Sequence, residues 1–169
     1  MSYCYSNDGQ SMRAVDLDYQ AQDGEVVFDH YATDDELNAA FLGRIGQRLI
    51  NLRTSHLGEI NAHAAKLLAT LSANYPEGEV QSWSQQTKEA DALAANPDAP
   101  TPLLSAIATA RGLSVGNLAM RVHAKANAYA RASGQIIGQR QAMEDALLAI
   151  DLSAQDAVAQ MEAVQWPTA

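Results

Sequence analysis

The sequence predicts a mainly α-helical protein with a small β element at the N-terminus and long antiparallel helices in coiled-coil-like packing. Two long proline-free stretches carry apolar residues at heptad spacing, and proline-containing breaks separate the helices between them. Turn signals and strand-forming residues are concentrated near the N-terminus. We therefore expect four parts: a β-rich head (1–32), a capped short helix followed by a long helix (33–74), a helical module (75–152), and a short C-terminal helix with a tail (153–169).

Composition and charge narrow the classes of function. Hydrophobic residues make up 47% of the 169-residue chain, as expected for a folded protein. The net charge of -9 argues against a nucleic-acid surface, which needs an excess of Lys and Arg, and against docking on anionic lipid. Cys4 is the one cysteine, so no intrachain disulfide can form. With no signal peptide and no membrane-spanning run, we expect the protein to act in a cytoplasm or on a particle assembled there.

The head contains two turn signals, Asn7-Asp8-Gly9 and Gln22-Asp23-Gly24. The first predicts a hairpin between residues 3–5 and 12–15, with Asp8 and Gly9 at the positive-φ positions. The second precedes a short strand, Glu25–Phe28. So few strands bury too little surface to fold alone. The head must therefore pack on the helices, on a second copy of the chain or on a partner.

A short helix follows the head. Thr33 is suited to the N-cap and Glu36 to its reciprocal partner, while Asp34 and Asp35 lie where the helix dipole favours negative charge. Because capping accounts for all of these acids, we do not interpret them as a metal site.

The first long helix is predicted from about residue 45 to residue 74, with its apolar residues in a row at intervals of seven. Such a row is typical of a seam shared by two helices. His56 and His63 are also seven residues apart, about 10 Å along a helix, which is too far for a shared metal ion. The first seam consists of Ile50, Leu57, Ala64 and Leu71.

Proline and glycine set the boundaries of the next two helices. Pro76 ends the long helix, and the helix that follows carries Trp83 as a packing anchor. Three prolines in residues 97–102 form the clearest break in the chain. Thr101 is predicted to cap the next helix, which Gly112 ends.

A final long helix is predicted to begin at Ser114, and it carries a second row of residues at intervals of seven. The two seams can pair antiparallel within one chain or between copies, and the sequence leaves both arrangements open. We predict self-association through one of them. Gly134 and Gly138 lie inside the helical pattern, where glycine indicates close helix packing. The second seam consists of Val122, Tyr129, Ile136, Met143 and Ile150.

The search for catalytic chemistry is negative. There is no glycine-rich phosphate loop and no Cys/His cluster for zinc. Cys4 is expected near a mobile terminus without an activating partner, and His30 and His123 have no local ligand partner. We therefore expect no enzymatic activity, no cofactor and no metal.

An ordered set of residues across the helical module carries a family resemblance. It resembles the C-terminal module of small tailed-bacteriophage proteins, in Mu-like and related phages and prophages, that are known as tail or tail-fibre assembly proteins. The resemblance covers a little under half of the chain. The set comprises Tyr75-Pro76, Glu79, Ser82-Trp83, Gln86, Glu89-Ala90, Ala99-Pro100-Thr101-Pro102-Leu103-Leu104, Ala110-Arg111-Gly112, Lys125-Ala126, Ser133-Gly134, Ile137-Gly138-Gln139-Arg140-Gln141 and Glu144-Asp145.

The resemblance implies a chaperone that binds a tail-fibre protein and aids its folding or assembly in the bacterial cytoplasm. The alternatives are a minor structural component retained in the virion tail, or a helical adaptor that binds a host protein. We predict the partner-binding surface in the head, because aromatic residues on a small, under-buried unit are typical of interfaces. The other interpretation is that they form the core of the head. The residues are Tyr3, Tyr5, Tyr19, Val26, Val27 and Phe28.

Overall fold

The computed structural model describes Met1–Pro167, and within that range the chain forms three strands followed by six helices. The predicted fold class, mainly α with a small N-terminal β element, is confirmed. The elements are β1 (Ser2–Ser6), β2 (Ser11–Val15), β3 (Val26–Phe28), α1 (Asp34–Ala40), α2 (Arg44–Thr70), α3 (Glu77–Ala95), α4 (Pro102–Ala110), α5 (Val115–Ala149) and α6 (Ala157–Ala163).

The chain divides into two compact units. The first unit comprises Met1–Gly58 and Ala146–Gln165, and the second comprises Glu59–Asp145 together with Trp166 and Pro167. Among the residues described, no single helix is long and apolar enough to cross a bilayer. The pair α4 and α5, bent by 105°, passes that test by length and composition alone.

The sheet of the first unit is antiparallel, in the order β2-β1-β3. The hairpin turn contains three positive-φ residues, Asn7, Asp8 and Gly9, one more than predicted. In the register, Cys4 lies opposite Arg13 on one side and Val27 on the other. Cys4 is therefore in the central strand and buried, and the expectation of a mobile terminus is wrong because β1 is paired along both edges.

Helix α1 closes one face of this sheet. Thr33 and Glu36 form the predicted capping box, in which the Glu36 amide donates to Thr33 Oγ1 at 3.3 Å and the Thr33 amide donates to Glu36 Oε2 at 2.8 Å. Leu37 and Phe41 are buried against Tyr5. These contacts supply the apolar surface that the three strands lack on their own.

The second unit contains antiparallel segments of α2 and α5. Arg140 Nη1 donates to Asn61 Oδ1 at 3.1 Å, and Lys125 Nζ donates to the hydroxyl of Tyr75 at 3.3 Å. Between Asn61 and Tyr75 the chain moves forward, while their partners move back from Arg140 to Lys125. The two segments therefore run in opposite directions within one chain. Helix α2 ends at Thr70, before the predicted Asn74, because the next amides bond to carbonyls three residues back and tighten the last turn.

Helices α3, α4 and the start of α5 form the apolar core of the second unit. The N-terminus of α4 differs from the prediction, because the Thr101 side chain does not cap it. Its hydroxyl lies 3.1 Å from Ser105 Oγ instead. The buried carboxylate of Glu89 accepts hydrogen bonds from the amides of Leu104 at 2.9 Å and Leu103 at 3.4 Å. The core residues are Ala90, Leu104, Ala108, Leu118, Ala119 and Val122.

Two predictions about α5 have different outcomes. Ser114 caps it as expected, since the Asn117 amide donates to Ser114 Oγ at 3.2 Å. The interpretation of Gly134 and Gly138 as sites of close helix packing is wrong, because a Cβ placed on either glycine would meet nothing within 4 Å. Both glycines face open space.

The C-terminal helix begins at Ala157, later than the predicted boundary at residue 153. The Asp151 carboxylate accepts a bond from the Ser153 amide at 2.9 Å and holds a turn before the helix. The Trp166 ring stacks on His63, with centroids 4.9 Å apart. This contact anchors Trp166 within the second unit.

Candidate functional site

The second unit has a groove between α3 and α5 with a volume of about 500 Å³. We name it the aromatic groove, and define it by the side chains of Tyr75, Trp83 and Tyr129 over a floor that includes Val122 and Ala126. Volume and apolar lining are in the range of ligand and peptide sites.

Local sequence positions each of the three rings. Pro76 precedes α3 and fixes Tyr75 just before that helix, whose second turn carries Trp83. The Tyr75 and Trp83 ring centroids are 5.1 Å apart in an edge-to-face arrangement. Trp83 meets Tyr129 in the same manner at 5.7 Å. Trp83 therefore holds the two tyrosines in place, and such edge-to-face pairs add to the stability given by burial.

The polar groups at the groove are few. Lys125 Nζ lies over the Tyr75 ring, 4.9 Å from its centroid, and donates to the hydroxyl of that tyrosine. Thr87 Oγ1 donates to the Trp83 carbonyl at 3.0 Å, so Thr87 offers the groove a largely apolar surface. The Glu79 carboxylate also lines the groove, and it has no hydrogen bond or ion pair with any other described residue.

This chemistry suits recognition. The groove's lining combines three aromatic rings, apolar residues, one ammonium, one carboxylate and the neutral polar side chains of Ser84, Gln86 and Thr87, and it includes no histidine or cysteine. Within Met1–Pro167, no group of three or more His, Cys, Asp or Glu side chains could hold a metal ion. Tyr129 remains 42% exposed, so an apolar surface stays available to a partner.

The predicted partner-binding residues of the head are used mainly in its own packing. Tyr5 is buried in the core with Leu37 and Phe41. Tyr3, Val26 and Phe28 pack against that core, and Val27 is half-buried. These contacts agree with the alternative interpretation, in which the residues form the core of the head. Tyr3 also stacks on the exposed ring of Tyr31 at 4.0 Å.

Tyr19 belongs to a polar network on the opposite face of the sheet. Its hydroxyl donates to Glu25 Oε2 at 2.7 Å, and Arg13 Nη2 donates to Glu25 Oε1 at 2.7 Å. The bond from Tyr19, followed by the bond from the Gln22 amide, lowers the pKa of Glu25 to about 2. Burial raises the pKa of the Cys4 thiol, whose sulfur lies 4.0 Å from Arg13 Nη2. Cys4 is therefore kept neutral and enclosed.

His30 has two carboxylate neighbours, although the three side chains do not form a group that could hold a metal ion. Its Nδ1 lies 2.6 Å from Asp29 Oδ1, and its Nε2 lies 3.0 Å from Glu36 Oε1. The bond to Asp29, followed by the bond to Glu36, raises the pKa of His30. His123 likewise has Asp91 at 3.5 Å. Asp29 is adjacent to His30 in the sequence, whereas a loop brings Glu36 to His30 and helix packing brings Asp91 to His123.

The predicted seams differ in burial along their lengths. In the second seam Val122, Met143 and Ile150 are buried and Ile136 is half-buried, while Tyr129 belongs to the aromatic groove. In the first seam Ala64 is buried, Leu57 and Leu71 are half-buried, and Ile50 is 43% exposed. Self-association through either seam stays a prediction.

The sequence did not predict the groove, although it supplied one of its parts. Trp83 was expected to be a packing anchor, and the edge-to-face contacts with Tyr75 and Tyr129 give it that role. The two partners lie eight residues before it and 46 residues after it. A large aromatic with no local partner was the available signal, but pairing over such separations depends on the tertiary fold.

Comparisons with known proteins find a match for one part of the chain. Residues 124–166, about a quarter of the sequence, are similar to a family described as the HI1402 helical domain. The match spans most of α5 together with α6. No curated protein and no solved structure matches the chain. The family description states no activity and no partner.

Proposed function

We propose that this chain is a non-enzymatic assembly protein of phage or prophage tail fibres, which binds a tail-fibre protein and aids its folding or assembly in the bacterial cytoplasm. The proposal starts from the sequence resemblance of the helical module to such proteins. One observation about the aromatic groove carries it further: residues of the resemblance converge there from distant parts of the chain. They are Tyr75, Glu79, Trp83, Gln86, Lys125 and Ala126.

Other residues of the resemblance have structural roles that need no partner. Glu89 binds the first amides of α4, Gly112 adopts a φ of 63° after that helix, and Arg140 pairs with Glu144 at 2.7 Å. The groove residues are different, because they line an open surface instead of filling a core. A shared open surface is what proteins with a common binding partner require.

The composition of the groove fits an apolar segment of the fibre protein. Trp and Tyr are the residues enriched at the energetic centres of protein interfaces. Trp83 and Tyr129 are already held by edge-to-face contact, so little side-chain entropy is lost when a partner binds. Lys125 and Glu79 provide one charge of each sign to orient the partner.

Co-expression with the tail-fibre protein encoded beside this gene tests the proposal. We expect the wild-type chain to raise the yield of soluble, trimeric fibre, and Tyr129→Glu to abolish that gain by placing a charge in the groove. The exposed position of Tyr129 lets the variant fold. The matched control is Met120→Glu, which changes an exposed apolar residue of the same helix that does not line the groove.

Two results would contradict the proposal. If the fibre folds and trimerises equally well without this chain, the chaperone function is lost. If Tyr129→Glu acts like the wild type, the groove is not the binding surface. Mass spectrometry of purified particles separates the alternative of a structural tail component, which is present in the virion, from a chaperone, which is absent. Capture of a host protein in place of the fibre would favour the adaptor.

A further inference from the structure

Strand β2 is an open edge of the head's sheet. It pairs with β1 on one side only, and its residues from Ser11 to Ala14 are exposed. Half of the backbone amides and carbonyls of an edge strand point away from the sheet and can bond to another chain. The loop from β2 to β3 crosses the face of the sheet, where Tyr19 and Glu25 contact Arg13. It does not pair with the edge.

Most of the devices that protect an edge strand are missing from β2. Such strands are protected by charged side chains, above all Lys, by inward-pointing charges, Pro or a bulge, or by great shortness. Strand β2 has five residues, contains neither Lys nor Pro, and keeps a continuous register with β1 from Ser11 to Val15. Its one charge, Arg13, is bound to Glu25 on the face that covers Cys4. The edge is therefore competent to accept a strand.

The charge around this edge is strongly negative. Residues 1–36 contain nine Asp or Glu and a single Arg, and so carry -8 of the formal charge of -9. Several of these acids have partners, such as Glu25 with Arg13 and Asp34 with Arg44. Three that flank β2 form no ion pair with any described residue: Asp8 in the preceding turn, and Asp16 and Asp18 immediately after the strand.

We propose that β2 binds an extended, basic segment of a partner protein, which adds a fourth strand to the head's sheet. Backbone hydrogen bonds provide affinity in this mode of recognition, and side chains at the edge provide selectivity. The unpaired carboxylates at both ends of β2 select Lys or Arg in the added strand. Met12 and Leu17, the latter 80% exposed, offer apolar contacts beside them.

Charge argues against a second copy of this chain as the added strand. Two β2 strands paired antiparallel would bring Asp8 of one copy near Asp16 and Asp18 of the other. Like charges placed opposite each other across strands destabilise the pair. A basic strand from a different protein has the complementary charge.

Binding of designed peptides to the full-length chain tests the inference. The probe is a short capped peptide of alternating Lys and Val, and two control peptides carry either Pro at the central Val or Glu in place of every Lys. We expect the Lys-Val peptide to bind and to slow hydrogen exchange at the β2 amides. The proline peptide keeps the charge but lacks a backbone donor, so it should bind about tenfold more weakly. If the Lys-Val peptide and the proline peptide bind equally well, charge alone explains the binding and the inference is overturned.

Variants of the chain locate the site. Asp16→Asn/Asp18→Asn should weaken peptide binding about threefold to tenfold, because two exposed charge interactions are lost. Asp98→Asn/Asp145→Asn removes the same charge from exposed positions in the second unit and should leave binding unchanged. Equal effects of the two double variants would contradict a site at β2.

The two proposals can fail separately. Tyr129→Glu changes the aromatic groove and should leave peptide binding at β2 intact. Asp16→Asn/Asp18→Asn leaves every groove residue in place. If a variant loses fibre assembly but still binds the peptide, it affects the groove alone. If it loses peptide binding but still supports fibre assembly, it affects the sheet edge alone.

Discussion

Glu89 is the residue at which burial, charge and helix capping meet. It is 4% exposed, and its carboxylate accepts bonds from Leu104, Leu103 and the Gln85 side chain, the last at 2.8 Å. Burial by itself raises the pKa of this group. The bonds from Leu104, Gln85 and Leu103 lower it further than burial raises it, so the pKa lies below its ordinary value. The native state therefore favours the charged form.

Replacing Glu89 should destabilise the protein in a pH-dependent way. Because the folded pKa is depressed, the charged carboxylate stabilises the fold above the ordinary glutamate pKa of about 4.3, and this stability is lost as pH falls through the folded value. We expect Glu89→Gln to lower the free energy of unfolding by about 1–3 kcal/mol at neutral pH. The variant should also lose less stability than the wild type on acidification.

Urea unfolding at neutral and acidic pH measures both effects. Glu59→Gln is the control, since Glu59 is an exposed acid of the same unit. If Glu89→Gln and Glu59→Gln have equal stability at neutral pH, the capping role of Glu89 is wrong.

At the scale of the helices, two glycines differ in whether the backbone conformation requires glycine. Gly112 follows α4 with a φ of 63°, and its neighbour Leu113 donates from its amide to the Ala108 carbonyl at 2.9 Å, as in a glycine-terminated helix. Gly134 lies within α5, where helical dihedrals suit any residue and no atom approaches its Cβ position. One glycine is required by geometry and the other is not.

Substitution by alanine should therefore have opposite effects at the two sites. Gly112→Ala should destabilise the protein by about 1–2 kcal/mol, because an L-residue is strained at positive φ. Gly134→Ala should stabilise it by about 0.5–1 kcal/mol, because alanine has the higher helix propensity and meets no neighbour. Thermal unfolding of both variants beside the wild type checks the signs. Loss of stability in Gly134→Ala would indicate a packing contact at α5.

For the whole molecule, the exposed apolar surface bears on association between copies. The first unit has a hollow beside the N-terminal part of α2, with a volume of about 650 Å³ and apolar lining. Its lining includes Ile45 and Ile50, both exposed, together with Leu152. In the second seam, burial of Val122, Met143 and Ile150 within the chain leaves little for another copy. Ile50, at the start of the first seam, remains available.

We expect self-association through the first seam, and Ile50→Glu should weaken it by introducing a charge on the exposed apolar surface. Light scattering at micromolar concentration should give a mass above that of one chain for the wild type and a lower mass for the variant. Ile137→Glu is the matched control, with 41% exposure against 43% for Ile50. A wild-type mass equal to one chain would remove this prediction.

The sequence by itself determined the elements and several of their ends. The capping pair Thr33 and Glu36, the break at Pro76 and the stop at Gly112 act over a few residues, so their effects follow from local sterics and hydrogen bonding. The fold class followed from the same signals. Thr101 is an instructive exception, because Glu89, a residue distant in sequence, replaced its side chain as the cap of α4.

Only the tertiary structure decided which distant residues meet. The heptad rows left pairing within or between chains open, and the contact of Arg140 with Asn61 brings segments of the two long helices together within the chain. The aromatic groove depends on bringing Tyr75 and Tyr129 to opposite sides of Trp83. Periodicity identifies the apolar face of a helix but carries no information about its partner, because that choice depends on packing between segments far apart in the chain.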